Sequence, residues 1–229
     1  LAWYAEPGKF WSSELNREWV RASSELFREF HRAGGARVVA AGTCAEYDWS
    51  DGHCSENETP LRPRTLYGQA KLESSDLLRT FARQHDMTYA WGRVFFLYGP
   101  HEHPARLVAS VVGALLRGQA ARVTHGKQVR DFLHVADVAG AFAALAGSTV
   151  TGPVNIASGV PLTVRAVVEA IAAKLGRPDL LELGALPAPA DDPPRITADL
   201  RRLRTEVNWI PRYDLDSGLD DTIAWWRAA

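Results

Sequence analysis

Apolar side chains recur at Trp11, Leu15, Trp19, Val20, Leu26, Phe27 and Phe30, close to the 3.6-residue period of a helix with one covered face, and Gly34-Gly35 ends the run. The spacing predicts a helix over residues 11–33. The next segment, Ala36-Arg37-Val38-Val39-Ala40-Ala41-Gly42, is short and almost wholly apolar, the pattern of a strand buried in a parallel sheet. A polar stretch from Tyr47 to Arg64 follows, too long for a plain connection. Leu72, Leu77, Leu78 and Phe81 then mark a second helix from near Thr65 to about His85. Met87 to Leu97 reads as another buried strand, broken by Tyr98-Gly99-Pro100. Strand, helix and strand in this order imply right-handed βαβ crossovers and a parallel sheet covered on both faces.

Beyond Pro100 the elements become smaller. A helix from about Ala105 to Arg117 leads to Ala121-Arg122-Val123 and then to Gly126–Val135, which alternates like a half-buried strand. Val135 to Ala146 is helical in pattern, Val154-Asn155-Ile156 is a short strand, and Leu162 to Leu175 is helical again. A proline-rich loop, Leu186 to Pro194, precedes Thr197-Ala198-Asp199 and two terminal helices, the last from Ser217 to Ala228. The predicted fold class is α/β, with a boundary near residue 100. Residues 1–100 form the main sheet, and 101–229 form a smaller mixed lobe over its carboxyl edge, with segments returning to the sheet.

The 229 residues, 46% hydrophobic and 23% charged, suffice for one large core or two small ones. A net charge of −1 gives no general attraction to nucleic acid or to a membrane surface. No apolar run reaches membrane-spanning length, and the opening residues lack the pattern of a signal peptide, so a soluble, cytoplasmic protein is expected. The two cysteines, Cys44 and Cys54, read as free thiols.

Candidate chemistry centres on Tyr67 and Lys71. Four residues apart on a helix, they share one face, where the ammonium can stabilise tyrosinate and lower the phenol from its usual value near 10. A phenol so tuned exchanges a proton with a substrate oxygen near neutral pH. Thr43, at the end of the first apolar strand, carries a hydroxyl that can donate or accept. His101, Glu102 and His103 could line a pocket, but without a third clear ligand their spacing does not make a metal site.

Thr43, Tyr67-x-x-x-Lys71, Arg93–Pro100, Arg130-Asp131-Phe132-Leu133-His134-Val135-Ala136-Asp137 and the tail from Asn208 through Trp225 together resemble the extended short-chain dehydrogenase/reductases. These form the NAD-dependent epimerase/dehydratase family, which acts on nucleotide sugars. The resemblance implies a Rossmann-like, doubly wound parallel sheet with a mixed α/β substrate lobe, NAD or NADP as cofactor, a nucleotide-diphosphate sugar as ligand, and a homodimer joined through the helices carrying Trp11 and Tyr67. No G-x-x-G-x-x-G precedes Leu1, and Leu1-Ala2-Trp3 resembles the family's fourth strand. An amino-terminal portion on the order of 60 residues or more, at about 30 per βαβ unit, is therefore expected to be missing. Either the sequence covers part of a longer chain, or a short protein has lost dinucleotide binding and serves as a binding or interaction subunit.

The family's roles fall on Tyr67 as general acid/base, on Lys71 as the group bonding the nicotinamide ribose, and on Thr43 as donor to the same sugar oxygen. Ala2, Trp3 and Arg93 would border the cofactor, while Cys44, Phe96, Arg106 and Arg130 would line the substrate site, Arg130 facing the diphosphate. Two departures narrow the reaction. Cys44-Ala45 stands where the family's dehydratases carry Asp-Glu, which argues against dehydration, and Phe96 replaces an asparagine that bonds the phosphates. Reduction of a 4-keto sugar and 4-epimerisation remain, and the long loop with Trp49, Asp51 and Cys54 resembles reductase-like members acting on deoxysugar nucleotides, favouring reduction.

Overall fold

The computed structural model describes residues 3–229. Helix α1 (Leu15–Arg32) buries Val20 and Phe27 and leaves its charged face in solvent, as its periodicity requires. It starts later than predicted, because residues 7–12 turn before it. Gly34, with φ +86°, reverses the chain into strand β1 (Arg37–Thr43). Helix α2 (Leu66–Gln84) is capped by Thr65, whose hydroxyl accepts from the Gly68 N–H at 3.1 Å. Strand β3 (Thr88–Val94) then pairs with β1 in parallel, from Arg37 opposite Thr88 to Thr43 opposite Val94.

The predicted strand Met87–Leu97 is in fact two. After Val94 the chain leaves the first sheet, and β4 (Phe96–Tyr98) enters a second one. The first sheet is completed by β7 (Gly152–Ile156), in the order β1-β3-β7, all parallel. Its faces are covered differently: Trp91 packs with Phe27 and Leu78 beneath α1 and α2, whereas Ala90, Val154 and Ile156 meet Ala141 and Leu145 of α4 (Val135–Gly147). Two-sided burial explains why β1 and β3 read as near-continuous apolar runs.

The second sheet runs β2 (His53–Cys54), β10 (Arg195–Ala198), β6 (Val129–His134), β4, with β8 (Pro161–Thr163) antiparallel to β6. A pair, β5 (Ala121–Val123) and β9 (Leu181–Leu183), stands apart. Helices α3 (Leu107–Leu116), α5 (Val164–Lys174) and α7 (Leu215–Ala228) enclose a second core of Val111, Val112, Leu115, Val167, Ile171 and Leu219. A short α6 (Arg201–Thr205) follows β10. This is the α/β, parallel-sheet architecture that the pattern predicts.

Strand β6 corrects its expectation as half-buried: all of Arg130 to His134 is buried. Its polar side chains stay inside because each has partners. The Asp131 carboxylate accepts from the Ser158 N–H and hydroxyl, both at 2.7 Å, and from the Gly159 N–H, while His134 caps α4 by accepting from Ala136 N–H. Cys44 and Cys54 are both buried free thiols. Among the described residues, no helix is long and apolar enough to cross a membrane.

Asn155, wholly buried on β7, joins the two sheets. Its carbonyl oxygen accepts from the Tyr47 hydroxyl at 2.7 Å, and its amide donates to the carbonyls of Cys54 (2.9 Å) and Asp199 (3.1 Å). Asn155→Ala removes three hydrogen bonds and leaves the buried Tyr47 hydroxyl without its acceptor, so denaturant unfolding should show a loss of about 3 kcal/mol.

Candidate active site

At the carboxyl end of β1 the chain passes directly into a 3-10 turn, Cys44–Glu46. Thr43 and Glu46 close that turn on themselves: the Thr43 hydroxyl accepts from the Ala45 N–H at 3.2 Å, and Glu46 Oε1 accepts from the Thr43 N–H at 2.9 Å. The Glu46 carboxylate is fully buried and takes two further bonds, from Trp91 Nε1 at 2.9 Å and Arg93 Nε at 2.7 Å. A carboxylate in such surroundings stays charged only when paired in this way. Arg93, expected at the cofactor, supplies one of these bonds. Its guanidinium lies in the interior, bonded to Glu46 and to the Tyr47 hydroxyl at 3.0 Å.

The first turn of α2 reaches this structure because residue 68 is glycine. A side chain there would stand 2.4 Å from the Ala45 carbonyl oxygen, so only a bare backbone permits the approach. Tyr67 is thus set beside Thr43, its ring edge-on to Phe10, Trp11 and Trp3 at centroid separations of 4.8, 5.7 and 6.4 Å. Burial pushes the phenol up to about 12, with the Thr43 hydroxyl acting in the opposite direction.

Lys71 is buried on the same helix face, with Nζ 6.0 Å from the Tyr67 ring centroid. The ammonium donates to the Ala41 carbonyl at 3.0 Å and lies 3.8 Å over the Trp3 ring. Burial pulls it down to about 8, against the attraction of Glu46. Lysine was expected to lower the tyrosine; burial is the largest influence on the phenol here, and it acts upward.

Thr43 and Tyr67 open onto a cleft of about 590 Å³ that also exposes Cys44, Trp49, Phe96, Arg106 and Arg130. Burial raises the Cys44 thiol well above the usual range. Arg130 lies 5.3 Å from the Phe96 ring, and its guanidinium is engaged by Asp192 and by the carbonyls of Val129 and Pro193. Arg106, at the amino end of α3, makes no ion pair among the described residues. His101, Glu102 and His103 separate: His101 packs against Trp225 with the rings tilted by 52°, His103 accepts from the Ala105 N–H, and Glu102 enters the cleft. Among the described residues, no three His, Cys, Asp or Glu side chains group to hold a metal ion.

A second cavity, about 270 Å³, lies beside β1 and is lined by Lys71, Trp3, Ala40 and Ala41. Trp3, placed by sequence at the cofactor, is held there by its Nε1 bond to Asn16 at 2.8 Å. Ala2 lies outside the described residues. Lys71 is therefore the cation available on that side for a ribose hydroxyl, and the sequence contains no G-x-x-G-x-x-G turn for a pyrophosphate. Sequence reasoning missed Glu46, although Thr43-x-x-Glu46 is itself a readable capping box, and it missed Phe10 and Trp11, which carry no signal of their own.

A sequence model described as the NAD dependent epimerase/dehydratase family matches residues 4–157. UDP-glucuronic acid decarboxylase 1 of Xenopus tropicalis is 27% identical over 201 residues, covering 84% of this chain and 47% of the relative. The chain thus spans about half the length of that relative. The solved structure described as MoeE5 in complex with UDP-glucuronic acid and NAD is 32% identical, with a TM-score of 0.81, over 91% of this chain and 70% of that one. A UDP-N-acetylglucosamine 4-epimerase from Methanobrevibacter ruminantium M1, 23% identical, shares the fold at a TM-score of 0.92, over all of this chain and 75% of its own.

Replacing Glu46 by alanine leaves the Arg93 guanidinium buried without its carboxylate and frees the Thr43 turn. Urea unfolding should show a loss of about 3–5 kcal/mol, with Glu46→Gln losing less because one acceptor remains for Thr43 and Trp91.

Proposed function

Because the chain belongs to the NAD dependent epimerase/dehydratase family, we propose that it serves the NAD(P)-dependent modification of a nucleotide-linked sugar, and that the reaction is reduction of a 4-keto sugar. The observation that carries this reading is the pair of hydroxyls, Thr43 and Tyr67, at one end of the cleft, with Cys44 and Ala45 rather than two carboxylates following Thr43. The phenol, held near 12 by burial, is a proton donor at neutral pH. That is the state needed to protonate a carbonyl oxygen as it becomes an alcohol.

NADH or NADPH, when bound, supplies the hydride. Tyr67 gives its proton to the C4 oxygen, and Thr43 donates a hydrogen bond to that oxygen as negative charge develops on it. The tyrosinate left behind is stabilised by the Lys71 ammonium, 6.0 Å from the ring. Lys71 also suits a bond to the ribose of the cofactor, from the cavity it shares with Trp3. The diphosphate falls to Arg106 and the amino end of α3, which together offer a free guanidinium and unpaired N–H groups. Arg130 contributes from the opposite wall, its orientation set by Asp192. The exposed Leu26, Phe30 and Leu77 on α1 and α2 support a homodimer through these helices.

For the intact protein, Tyr67→Phe should lower turnover of a 4-keto sugar nucleotide by about 10²–10⁴-fold with ligand affinity nearly unchanged. Unchanged turnover overturns the role of Tyr67. Net oxidation of added NADPH or NADH, followed at the nicotinamide absorbance, is the expected stoichiometry. Interconversion of sugars without net cofactor change replaces reduction with 4-epimerisation, and binding without turnover replaces both with a non-catalytic binding role.

A further inference from the structure

The cleft holds two carboxylates among its described lining residues, and one of them, Asp192, is bound to Arg130. The other, Glu102, is not absorbed by the mechanism. It reaches the cleft because the backbone reverses after β4, where His101 adopts φ +62°, a left-handed conformation held with its ring 4.6 Å from Trp225. Glu102 Oε2 accepts from the Ala109 N–H at 3.2 Å. It supplies the side-chain acceptor at the amino end of α3 that Arg106, at the N-cap, does not. Among the described residues, no protein donor bonds its other oxygen. Glu102 therefore stands at the same helix end, beside the same unpaired Arg106, to which the proposed function assigns the diphosphate.

We propose that Glu102 couples ligand binding to a proton: the diphosphate of a nucleotide-linked sugar occupies the amino end of α3 and Arg106, and Glu102 becomes neutral as it does so. The inference rests on the reading of the cleft as a nucleotide-sugar site. Two negative charges brought beside a third in a partly enclosed cleft repel it. Protonation removes the repulsion, and it also turns the free oxygen into an O–H that can donate to a phosphate. Burial already raises the Glu102 carboxyl to about 7, against the opposing pull of the Ala109 N–H and of Arg106, so the proton is available near neutrality.

Of the neighbours on its own turn, His101 packs against Trp225 and His103 accepts from the Ala105 N–H, and the Glu102→Gln variant separates their contribution from that of Glu102. In the same cleft, Tyr67 and Cys44 are held by burial far above neutral pH, and the remaining basic lining residues are Arg106, Arg122 and Arg130. Lys71, near 8, faces the neighbouring cavity instead. The sign of the linkage follows. Below the pKa of the free carboxyl the group is neutral before and after binding, and affinity is flat. Above it, binding must take up a proton and affinity falls, until the pH passes the still higher pKa in the complex.

The test is calorimetric titration of the intact protein with UDP-glucose and dTDP-glucose, whose diphosphates do not titrate near neutrality, in buffers of differing ionisation heat. Wild type should take up close to one proton at about pH 8, with affinity falling by up to about tenfold per pH unit above about pH 7. Glu102→Gln should take up none and show no such fall. Binding without proton uptake in the wild type, a measurement that needs no variant, overturns the role of Glu102 and leaves the nucleotide-sugar reading standing. Uptake that persists in Glu102→Gln overturns it as well. Failure of both sugar nucleotides to bind even at about pH 6, where the linkage costs nothing, overturns the nucleotide-sugar reading and this inference with it.

Discussion

The Glu46 carboxylate, sealed inside the protein, is the interaction on which the rest of the site depends. One oxygen holds the Thr43 N–H and the Trp91 indole, and the other holds Arg93. These bonds tie the end of β1 to the neighbouring β3 and fix the turn on which Thr43 stands. They also explain Gly42: a side chain there would come within 2.1 Å of the Trp91 indole nitrogen and 2.6 Å of the Glu46 carboxylate. The charge is stable inside only because its partners are complete, so the geometry of the turn is over-determined.

Against that fixed turn, α2 packs through Gly68, and the packing rather than the helix itself sets the distance between the two reactive hydroxyls. The same burial that positions Tyr67 and Lys71 moves their proton affinities in opposite directions, the phenol up and the ammonium down. Desolvation disfavours whichever form is charged, so one cause gives both shifts. The wall of the cleft opposite them is built from the second sheet, which Asn155 and the buried polar groups of β6 hold against the first.

Family membership, the α/β class and the order of most elements were legible along the chain, because apolar runs and helical periods are local consequences of which faces are covered. That Tyr67 and Lys71 share one helix face was legible because the i, i+4 spacing follows from helix geometry, whereas Thr43 was singled out by resemblance to the family. The strand predicted from Met87 to Leu97 failed where the chain changes sheets after Val94, since every residue around the break is apolar whichever sheet receives it. Strand β6 looked half-buried because Arg130, Asp131 and His134 are polar, and only their partners, the distant Asp192 and Ser158 and the nearby Ala136 N–H, show that polarity and full burial coexist.

The sequence by itself therefore determined the α/β class, most of the elements and their parallel arrangement. Tertiary structure decided what each charged group does. It set Arg93 in an interior ion pair with Glu46, engaged Arg130 with Asp192, left Arg106 without an ion-pair partner among the described residues, and carried Glu102 into the cleft. The physical reason is that hydrophobic periodicity is written into neighbouring residues. The fate of a charge depends instead on its solvation and on partners tens of residues away, which only the folded chain brings within a few ångströms.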